Sequence, residues 1–437
     1  MRRKIHDQLV DWKQRGFQKP LLIIGARQIG KSWIIEEFLQ QQCNGELQYL
    51  VFNLFDRADI CELFDRDIPT ETKITQLEIL HGEAIDYQQT VLFFDEAQES
   101  EGLIAALKFF AESDVPYKVV CAGSLLGVKL KRMSKPFPVG KVEMLDMLPM
   151  DFEEYLWAIN EDLLAQEIRR CAKANEPLLS SLHEKALGLM RNYLCSGGMP
   201  EVVADLIAKD NNILSLNTSL LENIRRAYLA DMRRYVSSTA ESIKIEAVYD
   251  SIPSQLGNSA SKFMYSGVKK GARAREYQTA VEWLISSGMV LSCTMVTLPQ
   301  IPLKAYQAEG YFKLYLSDCG LLCNLVGLPY QQLLLDSDFF FKGIIIENYV
   351  ATQLAAANKS LFYWREGNSA ELDFLLTDDE SVIPVEVKAG RNKSSASMRV
   401  YQERYHPASV LRISTRNFGS EGAVRSLPPY ALFTLAD

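Results

Sequence analysis

The segment Gly25-Ala-Arg-Gln-Ile-Gly30-Lys31-Ser32 constrains this chain more than any other stretch. It has the spacing G-x-x-x-x-G-K-S. A short apolar run, Pro20-Leu-Leu-Ile-Ile, precedes it, and a helical pattern from about Ser32 to Gln41 follows. Glycines there let backbone N–H groups turn inward around a phosphate, at a helix N-terminus that already favours anions. Gly25, Ala26, Arg27, Gln28, Ile29, Gly30, Lys31, Ser32 and Trp33 are therefore the candidate nucleotide-binding set. Lys31 would reach the β- and γ-phosphates, and Ser32 would ligate Mg²⁺. A chance match in a turn is the competing reading, and the flanking strand and helix argue against it.

A loop of this kind needs a sheet to carry it. Apolar runs at 20–24, 49–54, 90–94, 118–122 and 141–147 alternate with helical stretches, which predicts a parallel sheet covered on both faces. The run Val91-Leu-Phe-Phe ends in Asp95-Glu96, where Asp95 would hold Mg²⁺ and Glu96 would polarise the attacking water. Capping of the next helix is the plainer alternative for this acid pair. The run 118–122 ends in Gly123-Ser124, which places Ser124 to sense a γ-phosphate or orient water, or simply to form a turn. The segment 129–140, with Pro136, Pro138 and clustered bases, reads as a loop.

Composition narrows the class. The 437 residues suggest two or three domains at roughly 150 residues each. A hydrophobic fraction of 48% supplies a core, and 23% charged residues argue against disorder. The net charge of −8 argues against wholesale coating of nucleic acid, although one basic patch remains compatible with it. No apolar run approaches the ~18 residues of a membrane span. The charged start, Met1-Arg-Arg-Lys, has no apolar stretch after it. The eight cysteines (Cys43, Cys61, Cys121, Cys171, Cys195, Cys293, Cys319, Cys323) form no CxxC pair, and the four histidines are dispersed. Free thiols in a reducing cytoplasm are the expectation, with no zinc site and no membrane partner.

Together with "LIIGARQIGKSWIIEEF", the stretches "VLFFDEAQ", "VVCAGSLLG" and "LPMDFEEYL" give the chain a wider resemblance. It is similar to the AAA-type P-loop ATPases of bacteria and archaea that carry a C-terminal DUF4143 region. The resemblance implies ATP and ADP as ligands, with Mg²⁺. A homo-oligomer is compatible with it, and spacing fixes no order. That family commonly has Gly-Arg before the "L-x-P-x-x-F" stretch, whereas this chain has Gly140-Lys141, which keeps a cation but loses the bidentate fork. Arg132, Arg233 and Arg234 are the alternative arginine fingers.

From Asp151 the patterns turn helical to about Arg234, broken at Cys195-Ser-Gly-Gly-Met-Pro200. Residues 243–296 read as three short helices and then an apolar strand, 289–296, that would begin a wing. This resembles a winged helix between the two family regions. Lys262, Lys269, Lys270, Arg273 and Arg275 fall in a stretch without acids, so segment 262–275 is the candidate DNA contact, through phosphates. A solvated basic loop or a protein-docking wing would look the same.

A helical hairpin is expected from Gly310 to about Ala356, then strands at 361–364, 371–376, 382–388 and 409–414. In Glu371-Leu-Asp373 and Ile383-Pro-Val-Glu386-Val-Lys388, period two puts the acids and Lys388 on polar faces. The spacing D-x(12)-E-x-K is what a Mg²⁺-dependent phosphodiesterase needs: Asp373 and Glu386 to hold a Mg²⁺ or Mn²⁺, and Lys388 to position water. This resembles the PD-(D/E)xK nuclease fold, to which DUF4143 is similar, and Glu347 in "G-x-x-x-E-N" would be a third acid. A Glu386–Lys388 edge-strand ion pair is the alternative.

The expected fold is α/β: a P-loop parallel sheet (1–155), a helical segment (156–240), a winged-helix-like segment (241–310) and a restriction-endonuclease-like domain (311–437). The function expected of it is Mg²⁺-dependent binding and hydrolysis of ATP, with the nucleotide state controlling a DNA-binding and nuclease-like C-terminal region. The alternative is a nucleotide-driven switch or scaffold whose nuclease fold is inactive.

Overall fold

The apolar runs of the first third pair as a sheet. In the computed structural model, which describes residues 1–42, 47–236, 238–257, 262–334, 341–367, 370–378, 380–388 and 396–436, five strands are wholly parallel. They are β1 (Leu21–Ile24), β2 (Gln48–Asn53), β3 (Thr90–Asp95), β4 (Lys118–Gly123) and β5 (Glu143–Asp146), in the order β2-β3-β4-β1-β5. Every residue of β1 and β3 is buried, as is β4 beyond Lys118. That explains the continuous apolar runs: both faces of these central strands are covered. Because the strands are parallel, the loop after β1 and the ends of β3 and β4 emerge at one edge, the carboxyl edge where such sheets take ligands.

The core of this sheet is aromatic and aliphatic. Phe52 stacks on Phe94 at 5.3 Å, and Phe64 meets Phe94 edge-on at 5.8 Å. Leu103, Leu107 and Phe110 join them from helix Glu101–Glu112. That helix is capped by Ser100, whose hydroxyl accepts from the Leu103 N–H at 3.1 Å, worth about 1 kcal/mol.

The loop expected at 129–140 starts instead as the last turn of helix Leu126–Arg132, formed because Leu126 and Val128 are buried. Its bases meet acids of helix Glu101–Glu112. Lys129 pairs with Glu101 at 3.0 Å, the Ser134 hydroxyl donates to Glu101 at 2.7 Å, and Lys141 pairs with Glu112 at 2.9 Å.

The chain divides into two compact units: residues 2–148 with Ser286–Gly288, and the remainder. Apart from Ser286–Gly288, the three segments expected after residue 155 thus belong to one unit. It opens with helix Phe152–Ala158, closed by a capping box between Asp151 and Glu154. Helices Asp162–Ala174, Ser180–Ser196, Pro200–Ala208 and Ser219–Arg234 follow. The break at 197–198 needs glycine. A Cβ on Gly197 (φ +70°) would lie 2.1 Å from the Asp318 carboxylate, and one on Gly198 would lie 2.0 Å from the Met150 carbonyl. Helices Thr239–Leu256, Tyr265–Val268 and Ala274–Ser286 come next.

The second unit also holds an eight-stranded mixed sheet. Its strands are β6 (Val290–Val296), β7 (Gln307–Leu316), β8 (Phe362–Glu366), β9 (Ala370–Thr377), β10 (Val382–Val387), β11 (Val410–Ile413), β12 (Gly419–Glu421) and β13 (Val424–Leu427). Their order is β12-β13-β11-β10-β9-β8-β6-β7. Two expectations need correcting. The strand taken as the start of a wing is β6, an interior strand of this sheet, hydrogen-bonded to β7 on one side and β8 on the other. The helical hairpin taken to begin at Gly310 begins as strand, since 310–316 belongs to β7, where Tyr311, Lys313 and Tyr315 alternate with Phe312, Leu314 and Leu316 at period two. The boundary expected at 310/311 therefore falls inside β7. Helices Cys319–Leu325, Tyr330–Leu334 and Lys342–Ala356 follow it. Cys43, Asn368, Ser369, Ala389, Gly390 and residues 335–340 of the expected hairpin lie outside the described residues.

The seven described cysteines are free thiols, and all but Cys61 are buried. Among the described residues no helix is long and apolar enough to cross a membrane.

Candidate functional site

The loop after β1 has the backbone that a phosphate cradle requires. Gly25 has φ +153°, and a Cβ there would press to 2.2 Å from the Met147 carbonyl and 2.6 Å from the Ile29 side chain. Gln28 and Gly30 also have positive φ, +65° and +91°. Helix Lys31–Gln42 begins immediately afterwards. Ala26 and Ile29 are buried, Gln28 is exposed, and Trp33 is half exposed on the first turn of the helix. The Lys31 ammonium is buried inside the loop, donating to the carbonyls of Gly25 at 2.9 Å and Ala26 at 2.7 Å.

The acids of β3 stand beside it. The Ser32 hydroxyl donates to the Asp95 carboxylate, and Asp95 Oδ1 also accepts from the Glu96 N–H at 3.0 Å. Burial pushes the Asp95 carboxyl above its ordinary pKa, the Ser32 bond opposes this, and Glu96 adds to it. A buried carboxylate against a hydroxyl, beside a buried ammonium, fits a nucleotide with its divalent ion. Ser32 and Asp95 would hold that ion, and Lys31 with the loop N–H groups would hold the phosphates. Glu96 sits at φ +53° and accepts from Gln98 Nε2 at 2.6 Å and from the Ser124 hydroxyl at 3.4 Å. The residues at this sheet edge that the sequence singled out are thus gathered in one place.

Two contributors escaped the sequence reading. Arg3, buried, donates to the Ile29 carbonyl at 2.9 Å and to the Leu148 carbonyl at 2.6 Å, pinning the outer wall of the loop. It stands in the charged start Met1-Arg-Arg-Lys, to which no structural role was given. Gln98 follows the acid pair closely and could have been suspected as its polar neighbour. Among the arginine-finger candidates, Arg233 pairs with Glu246 at 3.4 Å and Arg234 lies over the Tyr235 ring.

The C-terminal acids are arranged differently. Glu371 and Asp373 lie on β9, Glu386 on β10, and Glu347 on helix Lys342–Ala356. Glu347, Glu371 and Asp373 each accept a hydrogen bond from the chain, whereas both Glu386 oxygens are buried without one. Lys313 of β7 reaches Glu347 Oε1 at 3.0 Å and Glu371 Oε1 at 2.7 Å. The Tyr315 hydroxyl donates to Glu347 Oε1 at 2.5 Å, and the Val387 N–H donates to Asp373 Oδ2 at 2.7 Å. Glu386, 2% exposed, has Lys388 Nζ at 3.2 Å and Arg412 Nε at 3.7 Å. The pairing of Glu386 with Lys388 is present, but β10 is an inner strand, flanked by β9 and β11. Among the described residues no group of three or more His, Cys, Asp or Glu is arranged to hold a metal ion.

The electrostatics agree with this geometry. Burial works to lower the Lys313 pKa, but Glu347, Glu371 and Asp373 outweigh it and hold the ammonium well above the lysine norm. Burial, helped by Glu347 and opposed by Lys313, pushes Asp373 up to about 7. The Glu347–Glu371 side of the acid set therefore does not fit a divalent ion as it stands, since the Lys313 ammonium already sits between those two carboxylates. Sequence reasoning missed Lys313 because its strand was taken for a helix; the signal was a lysine at an inward period-two position among aromatics.

In the basic segment Lys269, Lys270, Arg273 and Arg275 are exposed. Lys262 departs from them, with its ammonium 3.8 Å above the Tyr311 ring. Arg273 donates its backbone N–H to Glu276 at 2.9 Å, opening helix Ala274–Ser286, whose buried side carries Tyr277, Val281 and Leu284.

Comparison with known proteins adds three family matches. Residues 17–156 match an AAA domain, 187–332 match a domain of unknown function (DUF8612), and 342–430 match a domain of unknown function (DUF4143). No curated protein matches the chain. Among solved structures, the ORC2 protein of Aeropyrum pernix, in its ADPNP–ADP complexes, overlaps at 11% identity and a TM-score of 0.32, covering 78% of this chain and 92% of its own. CDC6P from Pyrobaculum aerophilum overlaps at 11% and 0.31, covering 79% and 93%. A signal-transduction ATPase with a tetratricopeptide-repeat sensor from Pyrococcus horikoshii overlaps at 11% and 0.26, covering 80% and 45%. With the AAA match over the P-loop sheet and the DUF4143 match over the C-terminal strands, the chain carries an AAA domain followed by a C-terminal DUF4143 domain, the domain order of the AAA-type P-loop ATPases that its sequence resembles.

Proposed function

We propose that the chain binds ATP with Mg²⁺ at the Gly25–Trp33 loop and hydrolyses it, with Glu96 as the general base. The carrying observation is the convergence of Lys31, the Ser32–Asp95 pair and Glu96 at one sheet edge. Lys31 would exchange its two loop carbonyls for phosphate oxygens. Ser124, within hydrogen-bonding reach of Glu96, would orient the water or sense the γ-phosphate. Bound Mg²⁺ supplies charge neutralisation at the phosphates. Steady-state phosphate release tests the reading: wild type should turn over, and Lys31→Ala and Glu96→Gln should not. Equal release from all three would sink it.

For the second unit the alternative of a switch or scaffold is the better supported. The supporting observation is that Glu347, Glu371 and Glu386 are each matched by a cation of the chain. On this reading the nucleotide state governs a region that binds a partner without cutting it. The partner is DNA, met by Lys269, Lys270, Arg273 and Arg275 through phosphates. Mg²⁺- or Mn²⁺-dependent cutting of DNA that disappears in Asp373→Ala would instead restore the nuclease reading.

A further inference from the structure

We propose that Lys313 is a built-in cation: its ammonium, held between Glu347 and Glu371, occupies the position a divalent ion would take in this acid cluster. The proposal deepens the reading that the second unit binds without cutting, and rests on it.

The side chain comes a long way to do this. β6 and β8 lie between β7 and β9 in the sheet, yet Lys313 Nζ stands 2.7 Å from Glu371 on β9 and 3.0 Å from Glu347 on helix Lys342–Ala356. It is 8% exposed and passes 5.2 Å from the Tyr363 ring. An ammonium is a compact point charge that donates three hydrogen bonds, so it can bridge carboxylates from separate elements as a metal ion does. Burying one unpaired is costly, and the acids around it remove that cost.

The other acids of the cluster have charged or backbone neighbours of their own. One Asp373 oxygen is taken by the Val387 N–H, and Glu386 faces Lys388 and Arg412. Bringing a divalent ion against the Lys313 ammonium in this poorly screened interior would set like charges in contact. One opening remains. A cavity of about 130 Å³, lined by Lys313, Glu347, Glu371, Lys262, Phe263 and Gln255 among others, meets the cluster, and Glu371 Oε2, like both oxygens of Glu386, is buried without a hydrogen-bond partner. That is room for a few waters. An ion could enter by this route once the ammonium was gone.

Thermal melts of the intact, nucleotide-free chain in EDTA and in millimolar Mn²⁺ test this. Wild type should melt at the same temperature in both. Lys313→Met should melt lower in EDTA and recover by several degrees, roughly 4 or more, in Mn²⁺. Should Lys313→Met fail to fold, Lys313→Met/Glu371→Gln restores the charge balance and should show a smaller Mn²⁺ shift through Glu347 and Asp373. A wild-type shift that Asp373→Asn abolishes would overturn the proposal, as would a folded Lys313 variant indifferent to Mn²⁺. The two failures separate: Mn²⁺ binding by wild type without DNA cutting sinks only the built-in cation, whereas cutting sinks the non-cutting reading as well.

Discussion

The two acid-bearing sheets of this chain solve opposite problems. At the end of β3, Asp95 and Glu96 are met mainly by hydroxyl, amide and backbone donors, partners that a cation and a water can displace or join. On β9 and β10, Glu371 and Glu386 are met by Lys313, Lys388 and Arg412, full charges fixed to the same sheet. A neutral donor orients a carboxylate and leaves its charge available, whereas a tethered cation uses that charge for stability. Acids at strand ends thus announce chemistry only when the charges facing them are known.

The contrast breaks first, and most strongly, at Glu96. Glu96→Gln should lower turnover by about 10²- to 10⁴-fold while leaving ADPNP affinity within a few fold, since a general base contributes on that scale. Parallel losses in turnover and affinity, measured by phosphate release and calorimetric titration, would reassign Glu96 to binding. Glu386→Ala should act on stability instead. It strands Arg412 and Lys388 and should cost about 3 kcal/mol in denaturant unfolding, the scale of a buried charge left unpaired. A loss below about 0.5 kcal/mol would mean that the pair is idle.

A pH dependence sharpens the same point at Asp318. Burial raises its carboxyl to about 6, against the opposing N–H bonds of Gly198 and Leu321. A raised acid binds its proton more tightly when folded, so its contribution is fully present below about pH 4 and is lost as pH rises through about 6. The shift corresponds to on the order of 3 kcal/mol. Asp318→Asn should flatten the stability curve between those pH values; an unchanged slope would mean that the group titrates normally. The smallest effect expected is on the basic segment. Neutralising Lys269, Lys270 and Arg273 together should weaken DNA binding roughly 10-fold and lower its salt slope by about 2 to 3. An unchanged slope would remove DNA as the partner.

The first unit was largely legible. Its strands are buried on both faces and so read as unbroken apolar runs, and the loop carries glycine where side chains would collide. Arg3 was not legible, because nothing local distinguishes a base that pins a carbonyl twenty-six residues away from one that faces water. In the second unit β8 to β11 were foreseen from their apolar alternation, but β7 was not, since Gly310 and the apolar residues after it suit a helix as well. That one misreading hid both the inner position of β6 and the origin of Lys313. Glu386 was placed correctly on a strand, Lys388 lies one residue past the end of β10, and only the neighbouring strand could reveal Arg412 beside Glu386.

The central claim is that one of these acid sites does chemistry and the other does not. It is tested most directly by incubating the intact chain with ATP, Mg²⁺ and supercoiled plasmid, and following phosphate release and DNA integrity in the same tube. The account predicts steady phosphate release with the plasmid intact. Nicked plasmid that becomes intact in Asp373→Ala, or no phosphate release at all, would contradict it.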